Sequence, residues 1–155
     1  MQRRVLVQEA DFDVSDECRA LASSSRCGAV AQFVGVMRDY NDGDDVLAMA
    51  LEHYPGMTER SIDAIIDSAA QRWPLLSATV IHRVGELLPG SQIVFVGVGS
   101  MHRHAAFSAC EFIMDFLKSE APFWKKERRA DGTERWVDAR DSDTHALNRW
   151  SDHAE

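Results

Sequence analysis

Basic residues are in the minority in this chain. Its 155 residues carry 17 lysines and arginines against 25 aspartates and glutamates, a formal net charge of −8. A surface of that sign repels phosphate backbones, which excludes general nucleic-acid binding. Cysteine is scarce as well: Cys18, Cys27 and Cys110 make an odd count and form no CxxC pair. That pattern excludes a disulfide framework and fits a reducing, cytoplasmic compartment. Long apolar runs are missing. The longest nearly unbroken one, Ile93 to Val98, falls far short of the roughly 20 residues a membrane span requires, so no membrane association is expected. The opening stretch MQRRVLVQEADF has too short an apolar run for the core of a signal peptide. No repeat, low-complexity segment, Walker loop or GxSxG occurs, and GVGS after the Ile93 run is not a GxGxxG fingerprint.

What is present is the composition of an ordinary globular domain, 45% hydrophobic and 27% charged. A chain of this length buries enough surface to fold without metal or disulfide support, and residues 1–155 read as one domain. Arg4 to Gln8 is an opening strand, and Ser15 is the expected cap of a helix to about Ala22. Gly28 to Met37 and Val46 to Tyr54 are strands. The Asn-Asp-Gly signal between them predicts that the two pair as an antiparallel hairpin. Thr58 is the expected cap of a helix running to Trp73, with Ile62, Ile65, Ile66 and Ala69 as its buried stripe. Thr79 to Val84 alternates as a strand and pairs with the Ile93 strand across Pro89-Gly90. Phe123 to Arg129 and Glu134 to Val137 flank Asp131-Gly132 as a further hairpin, and a last helix spans Asp141 to Trp150. Hairpins interspersed with three or four helices define an α+β domain with a mostly antiparallel sheet.

The chain is organised around Ile93 to Lys126: a strand, a turn carrying His102, Arg103 and His104, a helix, and a cationic segment beyond Pro122. Ala106, Ala109, Cys110, Ile113, Phe116 and Leu117 recur at spacings of three and four, which stacks them on one helix face. Glu111, Asp115 and Lys118 fall opposite. From Lys118 to Arg129 the balance is +3, which leaves −11 for the rest of the chain. Singly, these cations have ordinary explanations: Lys118 complements the helix dipole, Lys125 is an exposed strand residue, and Arg38 is a loop cation. Together they suit one anionic ligand. A metal site built on His102, His104 and Cys110 is disfavoured, since residues two apart on a helix do not share a face. Cys110 lies on the apolar stripe, where a cysteine is usually a small core residue.

Several blocks carry a more specific signal. LEHYPGMTE (Leu51 to Glu59), RWPL (Arg72 to Leu75), VIHRVGEL (Val80 to Leu87), His102-Arg103, FIMDFLK (Phe112 to Lys118), APFWKKE (Ala121 to Glu127) and RWVDAR (Arg135 to Arg140) closely resemble the large, catalytic subunit of molybdopterin synthase. The resemblance runs from about Gly28 to Trp150 and is weak over the first 27 residues. It implies an α/β hammerhead fold and a sulfurtransferase of molybdenum cofactor biosynthesis. Sulfur passes from the C-terminal Gly-Gly thiocarboxylate of a small ubiquitin-like subunit to cyclic pyranopterin monophosphate, forming the dithiolene of molybdopterin. It also implies a homodimer within a heterotetramer, and neither metal nor organic cofactor. Residue by residue, the two functional lysines fall on Lys118 and Lys125. Substrate binding falls on Val36, Met37, Arg38, His102, Arg103, Lys126 and Glu127. Arg140 matches an arginine that reaches the neighbouring large subunit's site. Val36 departs from the basic or polar residue often found there, so a contact from it has to use its backbone. The competing reading is a non-catalytic module that grips a ubiquitin-like tail, for which a phosphate-sized cluster of Arg38, His102 and Arg103 has no purpose.

Overall fold

Two sheets are assembled from strands that do not follow chain order. The computed structural model describes residues 1–41, 43–137 and 141–151. The first sheet runs β1 (Gln2–Gln8), β5 (Ser77–Arg83), β7 (Gln92–Ser100), β2 (Ala29–Val36). Its β1–β5 pair is parallel and the others antiparallel. The second runs β3 (Tyr40–Asn41), β4 (Asp44–His53), β8 (Phe123–Arg129), β9 (Glu134–Val137), all antiparallel, with β6 (Gly85–Leu87) also paired to β4. Four helices are present among the described residues: α1 (Val14–Leu21), α2 (Met57–Arg72), α3 (Arg103–Glu120) and α4 (Asp141–Ser151). The α+β class with a mostly antiparallel sheet is therefore observed.

The two central strands of the first sheet, β5 and β7, are buried on both faces, as their near-continuous apolar runs require. Strand alternation sends Val94, Val96 and Val98 of β7 into the main core, where Ile62, Ile66, Ala106, Ala109 and Ile113 of α2 and α3 meet them. Phe95 faces the other way, into a smaller cluster with Leu21 of α1 and Ile81. Side chains are missing where α1 comes closest. A Cβ at Gly97 would stand 2.4 Å from Leu21, and one at Gly99 would stand 2.6 Å from the Leu21 carbonyl oxygen. These glycines are what allow the helix to seat.

Three local expectations are corrected. The strand at 28–37 does not pair with the strand at 46–54: β2 pairs with β7, whereas β4 pairs with β8. The turn signal does close a hairpin, but it joins β4 to the two-residue β3. A turn signal fixes only the residues beside it. The long strands take the partners that bury their faces, Ala31 in the main core and Met49 and Leu51 in a second cluster. The cap of α1 is Asp13, whose carboxylate accepts the Asp16 N–H at 2.9 Å, and Ser15 sits inside the first turn. The cap of α2 is Gly56 at φ 83°. Its N–H donates to the Glu59 carboxylate at 2.6 Å. Thr58 lies within the helix, buried, and its hydroxyl accepts from Tyr54 N–H and donates to the Pro122 carbonyl, both at 3.0 Å. That second bond ties the start of α2 to the break after α3. No helix among the described residues is long and apolar enough to cross a membrane.

Candidate active site

A cleft of about 460 Å³ opens where the two sheets meet the C-terminal end of α3, a volume within the range of small-ligand pockets. Lys118 reaches it from the last turn of α3. Pro122 then bars continuation, Ala121 turns extended (φ −84°, ψ 131°), and β8 brings Lys125 back into the same cleft. Arg38 arrives from beyond the end of β2. There the register with β7 shifts between Gly35 and Val36, an irregularity of the kind that re-aims side chains at functional sites. Three cations from three separate segments thus share one concavity in a chain of net charge −8. Its walls are apolar: Phe33, Met49, Leu51, Ile93, Met114 and Phe123.

Alternation along β8 gives its two lysines different surroundings. Lys125 lines the cleft, and its Nζ lies 3.7 Å from Oε1 of Glu127. Glu127 is 3% exposed, accepts from Asn41 Nδ2 at 2.6 Å and faces Arg129 Nη2 at 3.3 Å. It is a buried anchor beneath Lys125. Lys126 points to the opposite face, where its Nζ pairs with Glu134 at 2.8 Å and lies 5.6 Å from the Trp136 ring centroid. The Glu134 carboxylate raises the Lys126 pKa.

The structure does not bring all the expected residues together. Val36 lines the cleft, while Met37 is buried in the second core cluster. His102 caps α3 and Arg103 opens it, both exposed at the end opposite Lys118. Fifteen residues at about 1.5 Å each put Arg103 and Lys118 roughly 22 Å apart along the axis, beyond the reach of one small ligand. Arg140 lies outside the described residues. Cys110 is buried, its Sγ 3.6 Å from the Val96 carbonyl, and burial pushes its thiol up to about 11. It is a core residue rather than a nucleophile.

Sequence reasoning missed two polar members of the cleft, Asp143 of α4 and His82 of β5; the histidine is the more buried. Its ring stacks on Phe123 with centroids 3.8 Å apart, and burial, with smaller contributions from nearby Lys118 and His53, holds its pKa down to about 4. The signal was available: Ala78, Val80 and His82 alternate to one face, so a histidine ends an otherwise apolar inward row.

Fold and cleft define an α+β protein with an apolar-walled pocket lined by three cations, Arg38, Lys118 and Lys125, and one carboxylate, Asp143. Residues 7–120 match the family model of the MoaE protein. A molybdopterin synthase catalytic subunit from Vibrio cholerae is 58% identical over 150 residues, 97% of this chain and 99% of the relative. The molybdopterin biosynthesis MoaE protein from Burkholderia ambifaria aligns with a TM-score of 0.82 at 51% identity, covering 97% of this chain and 99% of that one. Molybdopterin synthase from Staphylococcus aureus aligns at 0.79 and 26% identity, over 87% and 96%. The chain belongs to the MoaE protein family.

Proposed function

We propose that this chain is the catalytic subunit of a molybdopterin synthase, a sulfurtransferase of molybdenum cofactor biosynthesis that works with a small sulfur-carrier subunit. The observation that carries the reading is the convergence of Lys118, Lys125 and Arg38 on one cleft, together with 58% identity to a relative of that name along nearly its whole length. The substrate proposed is cyclic pyranopterin monophosphate, and the sulfur donor is the C-terminal thiocarboxylate of a ubiquitin-like partner. Both are anions, and a cationic pocket in an acidic protein concentrates and orients them.

The partner supplies the nucleophile. Its thiocarboxylate sulfur attacks a carbon of the pyran ring, forming a carbon–sulfur bond and a thioester while that carbon's bond to an oxygen breaks and the departing oxygen takes a proton. Water then cleaves the acyl–sulfur bond, leaving sulfur on the pterin and a carboxylate on the partner; a second round delivers the second sulfur. Lys118 stabilises the negative charge that develops on the acyl oxygen and on departing oxygen. Lys125, anchored by Glu127, holds the thiocarboxylate, and Arg38 holds the phosphate. His102 and Arg103 belong to the cleft of a second copy in a homodimer, since 22 Å of helix, by about 1.5 Å per residue, separates them from their own chain's Lys118. Arg140 is assigned to the same neighbouring cleft on the family resemblance. The compartment proposed is the cytoplasm.

The test is direct: incubate the purified chain with a thiocarboxylated partner and the pterin precursor, and assay for molybdopterin. Product is expected with wild type, and at a rate lower by on the order of a hundred-fold or more with Lys118→Ala. No product from a correctly folded wild-type assembly would remove the assignment.

A further inference from the structure

β5 ends inside the cleft, and its last inward-facing side chain is His82. The ring is held in two ways. It lies on Phe123, 20° from parallel, and its Nδ1 is 2.8 Å from the Arg83 carbonyl oxygen. A carbonyl only accepts, so Nδ1 carries the hydrogen and Nε2 keeps its lone pair. Among the described residues no donor meets Nε2. Nor is it among the sealed side-chain nitrogens left without a partner. His82 is 9% exposed, and that opening is the cleft. The result is a rigid, neutral acceptor in a cleft whose other polar side chains are Arg38, Lys118, Lys125 and Asp143.

Lys118 is close enough for its charge to act on the ring. It is an exposed side chain on a four-carbon stem, and among the described residues it takes part in none of the ion pairs that hold Lys125 and Lys126. A charge at the end of a flexible chain acts well only when its position is fixed to within about half an ångström. The neighbouring polar groups are few. Lys125 and Arg38 only donate, His53 is directed to Glu59 at 3.7 Å, and Asp143 of α4 also lines the cleft.

We propose that His82 is a positioning residue of the sulfur-transfer site: its Nε2 lone pair accepts a hydrogen bond from the Lys118 ammonium and fixes that group over the reacting atoms. The proposal rests on the reading of the cleft given above. Protonation would turn the acceptor into a repelling cation. Burial prevents this at neutral pH, holding the ring's pKa near 4.

The experiment uses the complete assembly of this chain, thiocarboxylated partner and pterin precursor. His82→Phe keeps a ring on Phe123 and removes the acceptor; His82→Gln returns an acceptor near the place of Nε2. Loss of one hydrogen bond to a charged group predicts a fall in kcat of about ten-fold or more for His82→Phe, with KM for the pterin within about two-fold and partial recovery in His82→Gln. If His82 acts through Lys118, adding His82→Phe to Lys118→Ala lowers kcat no further. Wild-type kcat in a folded His82→Phe, with kcat strongly lowered in Lys118→Ala, overturns the positioning role and leaves the site intact. Additive loss in the double variant overturns it too. Full activity in Lys118→Ala removes the site itself. Should His82→Phe not fold, 15N shifts of the wild-type imidazole decide: an Nδ1–H tautomer is expected, and an Nε2–H tautomer overturns the proposal.

Discussion

Lys125 and Glu127 face the same way on β8, with Nζ 3.7 Å from Oε1, although one lines an open cleft and the other is 3% exposed. Glu127 also holds Asn41 and faces Arg129, itself 4% exposed. Glu127→Ala removes the carboxylate and leaves that guanidinium buried beside a void. A loss of about 1.5–3 kcal/mol is expected, that of a hydrogen bond to a charged group. Glu127→Gln keeps the shape and one acceptor oxygen and should cost less. Urea unfolding of the three proteins checks the order. A Glu127→Ala protein as stable as wild type would show that the carboxylate is not an anchor.

Lys118 and Arg38 are assigned different work and should fail differently. Lys118→Ala is expected to lower kcat by on the order of a hundred-fold or more with fold and partner affinity kept, since the charge it meets develops only in the transition state. Arg38→Ala should mainly raise the pterin KM, by roughly ten- to a hundred-fold for a charged hydrogen bond to phosphate. Steady-state kinetics with the pterin varied separates them. Equal kcat losses in both variants would merge the two roles.

The separation of Arg103 from Lys118 along α3 makes a prediction about mixed assemblies. Lys118→Ala and Arg103→Ala chains, each impaired alone, should regain activity when allowed to exchange subunits, because one cleft of each mixed dimer collects both lesions and the other none. Random exchange restores about a quarter of the clefts. No recovery after exchange, followed by native mass spectrometry, would place both residues in one chain's site or deny Arg103 a role.

His82 also links stability to pH. Its folded pKa of about 4 lies below the ordinary 6.5, so below 6.5 the unfolded chain binds more protons than the folded one. The stabilisation is complete above pH 6.5 and is lost as pH falls towards 4, by about 2 kcal/mol at pH 5. Carboxylates titrate in the same range, so the informative quantity is the difference between wild type and His82→Phe at pH 7.5 and pH 5. A constant difference would mean that His82 is not held neutral by the fold.

Much of this was legible in the residues. The α3 wheel, the β8–β9 hairpin and the β5–β7 pair depend on local periodicity and turn chemistry, and the structure has them where the sequence put them. The partners of β2 and β4 were not legible. Pairing between distant strands depends on which faces bury together, which one hairpin signal does not encode. The cleft was half legible. The convergence of Lys118, Lys125 and Arg38 was expected, whereas the distance between Arg103 and Lys118 could have been counted along the helix. The outward aim of Lys126 follows from a period of two. His82 escaped because a histidine inside an apolar strand resembles filler until its neighbours are known.

The alternation of β8 also bears on which insertions and deletions this segment can absorb. A slip of one residue towards the N-terminus would put Lys126 in the place of Lys125, and the cleft would still be offered an ammonium. The same slip would set Arg128 where Glu127 lies buried against Asn41 and carry Ala130 into the place of Arg129, leaving a guanidinium in a sealed space with no carboxylate. The doubled lysine therefore makes the reading frame of the strand tolerant at the mouth of the pocket, and the acid two residues on makes it intolerant beneath. Length changes here should be confined to the turn around Asp131 and Gly132, where Gly132 stands at φ 85° with open space around it.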